Sequence, residues 1–200
     1  PLQRLQNANA SWYEDAVSIA QFPVDLSYLN DGEKPAGKRG FLGSNGGRLA
    51  FADGTRPRFW GTNLTAYAVL RTGRDDVVRQ ARRLSRLGFN LVRLHHLDSD
   101  WVKSNIIAGD GPGRLVLNED ALERVDWWIK ALADEGIYTW LDLEVGRVFA
   151  SDGIPAAEEM SNNGKGIKAK GFAYLSPAIE DRMKAFNSLL LNHVNRFTAF

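Results

Sequence analysis

Two stretches of the chain repeat one pattern of apolar and polar positions: a helix, a glycine and a short apolar strand. In the first, apolar residues recur at helical spacing before Gly88, and an apolar run follows over residues 89–94. In the second, the helical stripe precedes Gly136, and the apolar run covers residues 137–143. Such spacing predicts an amphipathic helix, which a glycine can end because it accepts left-handed backbone. The repeat therefore predicts helix–strand units whose strands lie parallel in one sheet.

Capping residues predict where the helices begin. Thr72 precedes the first apolar stripe, with Asp75 and Asp76 in what would be the first turn. Asn118 has the same place before the second stripe. Side-chain oxygens at such positions accept hydrogen bonds from the unpaired N–H groups of the first turn. Pro177 predicts the start of a third helix, since proline has no N–H to leave unpaired there.

The first third of the chain has short extended segments that are separated by turn residues. An Asn-Gly pair at 45–46 and an Asp-Gly pair at 53–54 are typical of hairpin turns. We expect a small antiparallel β lid here, preceded by an extended segment over residues 22–29. The apolar run over residues 89–94 is typical of a strand buried on both faces, and a buried strand is also expected over residues 59–64. Asn63 would then lie at the carboxyl end of that strand.

Together these elements predict an α/β fold: the N-terminal part of a (β/α)8 TIM barrel, with about three βα units, preceded by the β lid. We divide the chain into an N-terminal tail (residues 1–21), the β lid with its extended segment (22–58) and a partial barrel (59–200). Residues 147–176 are expected to form a long loop. A closed barrel takes about 250 residues, so the chain is expected to stop before strand four. The open sheet edges of such a piece favour pairing with the remainder of the barrel or with a second copy.

Composition narrows the classes of function. The 200 residues are 44% hydrophobic and 24% charged, and the net charge is +1. This balance is typical of a globular protein and indicates neither a nucleic-acid nor a membrane partner. The absence of cysteine excludes disulfides and thiolate metal sites. Six Trp, ten Phe and five Tyr are many for this length, but both a core and a sugar-binding surface use aromatic residues.

Polar side chains gather at the end of the apolar run over residues 89–94. Arg93, His95, His96 and Asp98 lie within six positions. Because side chains alternate along a strand, Arg93 and His95 would share one face, while His96 begins the other face or the loop. In a parallel α/β sheet, ligand-binding groups lie at the carboxyl ends of the strands. The location therefore predicts a binding site.

Four motifs follow one another in an order that points to a known family. They are Gly-Phe-Leu at 40–42, Phe-Trp-Gly-Thr-Asn at 59–63, Gly-Phe-Asn-Leu-Val-Arg at 88–93 and Gly-Ile-Tyr at 136–138, running on to Asp142. Over about residues 22–196 the chain resembles the N-terminal half of cellulase-like glycoside hydrolases of family 5. The resemblance implies a secreted or periplasmic enzyme without a cofactor, with a β-glycan or oligosaccharide in a cleft. It also implies two glutamates about 5 Å apart that work through a covalent glycosyl intermediate.

The resemblance assigns one supporting catalytic role and leaves two others unassigned. Arg93 matches the family arginine at the end of strand two, which hydrogen-bonds the nucleophile. The alternative is an arginine that pairs with a structural carboxylate. Asp142, at the end of the third predicted strand, could be buried and paired. No residue matches the acid/base glutamate of strand four or the nucleophile of strand seven, so neither is assigned to this chain.

The candidate sugar-binding residues are Asn63, His95, His96, Asp98, Trp101 and Glu144. The two histidines depart from the common family pattern: they could bind sugar hydroxyls or be satisfied by backbone in the core, and the aspartate could orient one of them. Glu144 stands where the resemblance puts a sugar-binding histidine. Trp101, and also Arg147, could line the cleft, although plain loop packing is the alternative for the tryptophan. A turn or cap role is the alternative for Asn63.

Three functions remain open at this point. The leading hypothesis is a retaining β-glycosidase, for which this chain supplies substrate-binding and nucleophile-orienting residues and is inactive alone. The second is a non-catalytic carbohydrate-binding or scaffold half-barrel that associates through its open sheet edge. The third is a metal-dependent barrel hydrolase built on the two histidines and Asp98. That spacing lacks a third well-placed ligand, so no metal is assigned.

Overall fold

The computed structural model describes residues 24–110, 114–150, 153–155, 157–160, 166–168 and 171–198. The predicted N-terminal tail, residues 1–21, lies outside the described residues. In chain order the elements are a 3₁₀ helix (Ser27–Glu33), β1 (Leu42–Asn45), β2 (Arg48–Phe51), β3 (Gly61–Thr65), α1 (Ala66–Arg71), α2 (Arg74–Arg86), β4 (Leu91–His95), β5 (Ile107–Gly109), β6 (Val116–Leu117), α3 (Glu119–Asp134), β7 (Tyr138–Leu141), β8 (Val148–Phe149), α4 (Ala157–Met160), β9 (Ile167–Lys168) and α5 (Pro177–Leu191). None of the helices in these ranges is both long and apolar enough to span a bilayer.

A parallel sheet with the strand order β3-β4-β7 organises the fold. In its register, Asn63 pairs with Arg93, and Arg93 pairs with Trp140. The three strands and the helices between them confirm the predicted α/β class, because parallel neighbours need such crossover connections. Asn63 lies in the middle of β3, so its predicted place at the carboxyl end of that strand was wrong.

The sheet has one covered face and one open face. Val92 and Leu94 are 0% exposed beneath the helices, whereas Trp140 on the opposite face is 59% exposed. The prediction that the strands are buried on both faces was therefore wrong for the described residues. Their apolar runs continue because even the open face carries Trp140 and Leu91. We call the face that carries Asn63, Arg93, His95 and Trp140 the inner face.

The helices α1, α2 and α3 bury their apolar stripes against the covered face. Trp128 of α3 is 1% exposed, and its indole N–H donates to the backbone oxygen of Val69 at 3.0 Å. Trp127 packs edge-on against Phe197, with ring centroids 5.0 Å apart. Both tryptophans of this helix therefore serve packing.

The helix starts were predicted correctly at two of three places. The Asn118 side chain accepts a hydrogen bond from the backbone N–H of Ala121 and begins α3, and α5 begins at Pro177. Thr72 does not cap α2, which begins after Gly73. Its hydroxyl instead donates to the backbone oxygen of Ala68 at 2.6 Å and ends α1, a short helix that the sequence did not predict.

The expected extended segment over residues 22–29 was wrong from Ser27 onward, where the 3₁₀ helix begins. The Asp25 carboxylate accepts hydrogen bonds from the Ser27 N–H and hydroxyl, which favours a turn over a strand. Asn30 of this helix is buried and donates to the backbone oxygen of Phe89 at 2.9 Å. Beside Asn30, only glycine fits at position 136. The φ of Gly136 is +74°, and an added Cβ would lie 2.6 Å from the backbone oxygen of Asn30.

The predicted β lid is a hairpin, in which β1 and β2 pair antiparallel. Phe51 of the hairpin stacks on Tyr138 with centroids 5.3 Å apart, and Phe59 meets the same ring edge-on at 5.5 Å. Because Tyr138 begins β7, the hairpin lies at the amino end of the sheet and leaves the carboxyl end uncovered. We call Phe51, Phe59 and Tyr138 the aromatic plug.

The predicted long loop over residues 147–176 contains secondary structure in its described parts. The two-residue strands β8 and β9 pair antiparallel, and a short helix, α4, lies between them in the chain. A small second core gathers Phe149, Ile154, Ile167 and Ile179. Strands of two residues are too short to produce a periodic pattern, which explains why the sequence did not predict them.

Candidate functional site

One carboxylate holds two polar side chains of the inner face at the carboxyl end of the sheet. Asp142 directly follows β7, and its oxygens accept hydrogen bonds from Arg93 Nε at 2.9 and 3.0 Å. Arg93 Nη2 lies 2.8 Å from the same carboxylate. His95, two positions further along β4 on the same face, contacts this carboxylate through Nδ1. The Asp142 side chain is 9% exposed, whereas that of Arg93 is 45% exposed. The buried carboxylate of Asp142 therefore fixes the cluster, while Arg93 remains accessible to solvent.

The charge state of this cluster follows from its contacts. Burial alone would raise the pKa of Asp142, but the hydrogen bonds and charges of Arg93 and His95 outweigh it and lower the pKa. Asp142 is therefore ionised at neutral pH. An ionised carboxylate only accepts hydrogen bonds, so His95 presents Nδ1–H to it. The other ring nitrogen, Nε2, makes no hydrogen bond within the described part of the chain.

Arg93 lies in the middle of β4, two positions before its end, and on the same face as His95, as side-chain alternation predicted. Its carboxylate partner among the described residues is Asp142, which the sequence indicated to be buried and paired without naming its partner. The pairing uses Nε and Nη2 and thereby fixes the plane of the guanidinium group. Asn63 pairs in register with Arg93 and is exposed on the same face.

His96 leaves the strand and joins the loop, with a φ of +66° that few non-glycine residues adopt. Its ring lies against the ring of His95, with centroids 3.9 Å apart, and 5.2 Å from that of Trp101. Its Nδ1 is 2.8 Å from the Ser99 hydroxyl. His96 thus connects the inner face to the loop that carries Trp101.

Trp101 is 45% exposed, so part of its ring is free for a ligand and part is packed. The packed part meets Tyr67 at a centroid distance of 5.4 Å, and the Tyr67 hydroxyl donates to the Trp101 backbone oxygen at 3.4 Å. The structure thus contains both features that the sequence left as alternatives, loop packing and an exposed ring.

Asp98 does not face the inner face, which corrects the expectation that it binds sugar directly. It is 3% exposed, and its oxygens accept hydrogen bonds from the backbone N–H groups of residues 145–147 at 2.7 to 3.3 Å. The Ser99 hydroxyl, 3.5 Å from Asp98 and 2.8 Å from His96 Nδ1, connects these two side chains. Asp98 therefore fixes the loop after β7.

Glu144 and Arg147 lie on that fixed loop. Arg147 is 4% exposed and forms a two-point ion pair with Asp110, at 2.7 and 3.1 Å. Its Nη1 also donates to Glu144 at 3.2 Å. Burial raises the pKa of Glu144 to about 7; Arg147 opposes this shift, and the negative charges of Asp98 and Asp110 add to it. Glu144 therefore titrates near neutral pH.

Asp110 is the residue that sequence reasoning missed at this site. It stands in a glycine-rich loop, 37 positions before Arg147, and no local pattern marks it. Within the described ranges, no three side chains of the metal-ligating types are placed to share an ion.

The fold is similar to that of solved glycoside hydrolases. An endo-1,4-β-mannanase from Rhizomucor miehei matches with a TM-score of 0.59 and 21% identity, over 80% of this chain and 44% of the mannanase. A family 5 glycoside hydrolase from Bacteroides vulgatus matches with a TM-score of 0.39 and 23% identity, over 54% of this chain and 25% of its own length. No protein-family model and no curated protein sequence matches the chain.

The likeness to the mannanase shows the fold. This chain spans less than half of the mannanase's length, so it matches part of a barrel. The chain therefore has a fold like that of part of the mannanase, and the predicted partial (β/α)8 barrel is confirmed.

Proposed function

We propose that this chain supplies the substrate-binding and nucleophile-orienting part of a retaining β-glycosidase whose catalytic glutamates lie outside these 200 residues. The observation that carries the proposal is the convergence of Arg93 and His95 on Asp142, at the carboxyl end of a parallel sheet. Ligand sites of barrel enzymes lie at this end of the strands. The Arg93 side chain stays half exposed there, within reach of a ligand.

Asp142 leaves part of Arg93 available for a second acceptor. It binds Nε and Nη2, while Nη1 makes no hydrogen bond within the described ranges. A guanidinium group fixed along one edge can present its other N–H groups to a carboxylate or a sugar hydroxyl. In the proposed enzyme that acceptor is the nucleophilic glutamate, which the positive charge keeps ionised.

His95 would bind a sugar hydroxyl through Nε2. Asp142 holds the proton on Nδ1, so the neutral ring offers Nε2 as an acceptor. A protonated ring offers the same nitrogen as a donor. Sugar hydroxyls both donate and accept, so either form of His95 fits a glycan.

The first ligand class to test is a β-1,4-linked mannan, because an endo-1,4-β-mannanase has a comparable fold. A location outside the cytoplasm, expected from the family resemblance, is part of the same proposal.

The test is calorimetric titration of this chain with β-1,4-mannooligosaccharides of two to six rings. We expect Arg93→Ala to weaken binding at every length by at least about tenfold, the loss of one charge-assisted hydrogen bond. The matched control is Arg79→Ala, on the outer surface of α2, where the arginine's ion-pair partner among the described residues is Asp76. Equal affinities of the two variants would contradict the proposal. Retaining hydrolysis by this chain alone would contradict the placement of the glutamates elsewhere.

A scaffold half-barrel remains the second candidate, and one observation favours it. The edge strands β3 and β7 have one sheet neighbour each in the described ranges, and Trp140 is exposed on the inner face. Unpaired strand edges and exposed aromatic rings favour association. Sedimentation analysis separates the candidates, since a monomer at micromolar concentration argues against pairing of the edges.

A further inference from the structure

A pocket of about 770 Å³ lies beside the inner face, between the loop after β4 and helix α5. Its walls include Trp101, Glu144, Arg147, Phe149, Met183 and Asn187. Pockets that bind small organic molecules have volumes of about 300–1,000 Å³. The pocket is separate from the cluster around Asp142 but adjacent to it, because Glu144 follows Asp142 by two positions and Trp101 contacts His96.

The wall that carries Glu144 is fixed before any ligand arrives. The buried Asp98 binds three consecutive backbone N–H groups, those of residues 145–147. Gly146 permits the loop to lie this close, since an added Cβ would be 2.3 Å from the Ser99 hydroxyl oxygen. A preformed wall lowers the entropic cost of binding, because the loop is not ordered by the ligand.

Two polar groups on the wall are poised for hydrogen bonds. Asn187 borders the pocket, and its Oδ1 is buried without a hydrogen-bond partner in the described part of the chain. A buried acceptor without a partner is costly, so a donor from a ligand or from water would stabilise it. The pKa of Glu144 is about 7, raised by burial, so a large fraction of its carboxyl groups can donate at neutral pH.

The charges around the pocket are balanced, which argues for a neutral ligand. Arg147 is paired with Asp110 and Glu144, and Lys184 lies 2.7 Å from Glu180. Of the remaining charged side chains on the rim, Asp100 and Lys168 are exposed and opposite in sign. A neutral ring with several hydroxyl groups fits this combination of an exposed indole, one acceptor and one donor.

We propose that this pocket is a second sugar subsite, which takes one further ring of the glycan bound on the inner face. Trp101 provides the surface on which the ring stacks, and Glu144 and Asn187 bind its hydroxyl groups. The inference rests on the proposed function, because the inner face must bind the neighbouring rings.

The test uses the same oligosaccharide series and follows affinity as a function of length. We expect affinity to rise when the ligand becomes long enough to enter the pocket. Trp101→Ala should remove that rise, about tenfold for the longest ligand, and leave the shortest ligand nearly unchanged. Asn187→Ala should remove a smaller part of it. The control is Trp60→Ala, which deletes an exposed tryptophan, 68% exposed, that precedes β3 at the amino end of the sheet.

The outcomes separate the two proposals. A rise with length that survives in both Trp101→Ala and Asn187→Ala would overturn the subsite and leave the inner-face site standing. Equal losses in Trp101→Ala and Trp60→Ala would overturn it too, because the effect would then not belong to the pocket. Unchanged binding in Arg93→Ala would overturn the proposed function instead. Failure of every ligand to bind would overturn both, and near-ultraviolet circular dichroism verifies that each variant is folded.

Discussion

The two ends of the parallel sheet differ in chemistry although they belong to the same strands. At the amino end, the aromatic plug and the hairpin β1–β2 cover the start of β7. At the carboxyl end, Arg93 and His95 gather around Asp142 and remain accessible. At the amino end, the side chains are packed and hydrogen-bonded to one another. At the carboxyl end, some hydrogen-bond donors have no acceptor within the described part of the chain.

Strand β7 shows the difference within a few residues. Burial, with help from Glu33, raises the pKa of Tyr138 to about 12, so the hydroxyl stays neutral and donates to Glu33. The pKa of Asp142 is lowered despite burial, because Arg93 and His95 favour its charged form. One end therefore contributes mainly to stability, and the other maintains an oriented charge. Variants at the two ends should separate stability from ligand binding.

The largest effect is expected at the amino end. Phe51→Ala should lower the free energy of unfolding by about 3 kcal/mol, since the ring is 7% exposed and packs on Tyr138 and Phe59. Binding of oligosaccharides by the folded fraction should not change. Urea denaturation measures the first quantity, with Phe41→Ala as the control, because that ring is 95% exposed. Similar losses in both variants would show that the plug does not stabilise the sheet.

Asp142→Asn should lower stability less than Phe51→Ala does, but it should weaken oligosaccharide binding more. Loss of the charged acceptor for Arg93 and His95 should cost about 1–2 kcal/mol at pH 7. Because the folded-state pKa of Asp142 is depressed, this contribution is present above pH 3.8 and is lost as the pH falls through the folded pKa. Denaturation at pH 7 and at pH 2.5 should therefore show a difference between wild type and variant that shrinks in acid. A constant difference would contradict the assigned charge state.

Some features of these two ends were easier to predict from the sequence than others. The difference lies in whether the contacting residues are close together or far apart along the chain. Helix α3 was predictable, since its apolar stripe and the Asn118 cap are close neighbours in the chain. The shared face of Arg93 and His95 followed from the local alternation of side chains along a strand. Their partner Asp142 is 47 and 49 positions away, and the sequence indicated that it could be buried and paired without indicating with which residues.

Asp98 shows where local reasoning stops. Its residue type and position favoured a ligand contact, but its oxygens bind the backbone of a loop 47 to 49 positions later. Backbone N–H groups are present at every residue and leave no signal in the sequence. The hairpin's place at the amino end was hidden for a similar reason, since it depends on Phe51 meeting Tyr138 across 87 positions, 138 minus 51.

A third prediction concerns the second carboxylate at the carboxyl end. Burial raises the pKa of Glu144 from 4.5 to about 7, against Arg147 and with Asp98 and Asp110. Its contribution to stability is full below pH 4.5 and is lost as the pH rises through about 7. Solvent screening reduces this pH-dependent change in the free energy of unfolding to about 1 kcal/mol.

Glu144→Gln should abolish this part of the pH dependence, whereas Glu180→Gln, on the exposed rim, should retain it. The measurement is the difference in unfolding free energy from wild type at pH 4.5 and at pH 7.5. Identical pH profiles for wild type and Glu144→Gln would contradict the raised pKa, because they would mean that the pKa of Glu144 is the same in the folded and the unfolded protein.

The smallest expected effect returns to the amino end. Tyr138→Phe keeps the stacked ring and removes only the hydroxyl that donates to Glu33 at 2.8 Å. Glu33 keeps a second partner, because Arg39 Nε lies 2.9 Å from it, so the loss should be roughly 0.5–1 kcal/mol. Oligosaccharide binding should stay at the wild-type level. If Tyr138→Phe weakened binding as much as Asp142→Asn does, the amino end could not be regarded as purely structural, because a change at the first residue of β7 would then alter binding at the carboxyl end of the same strand.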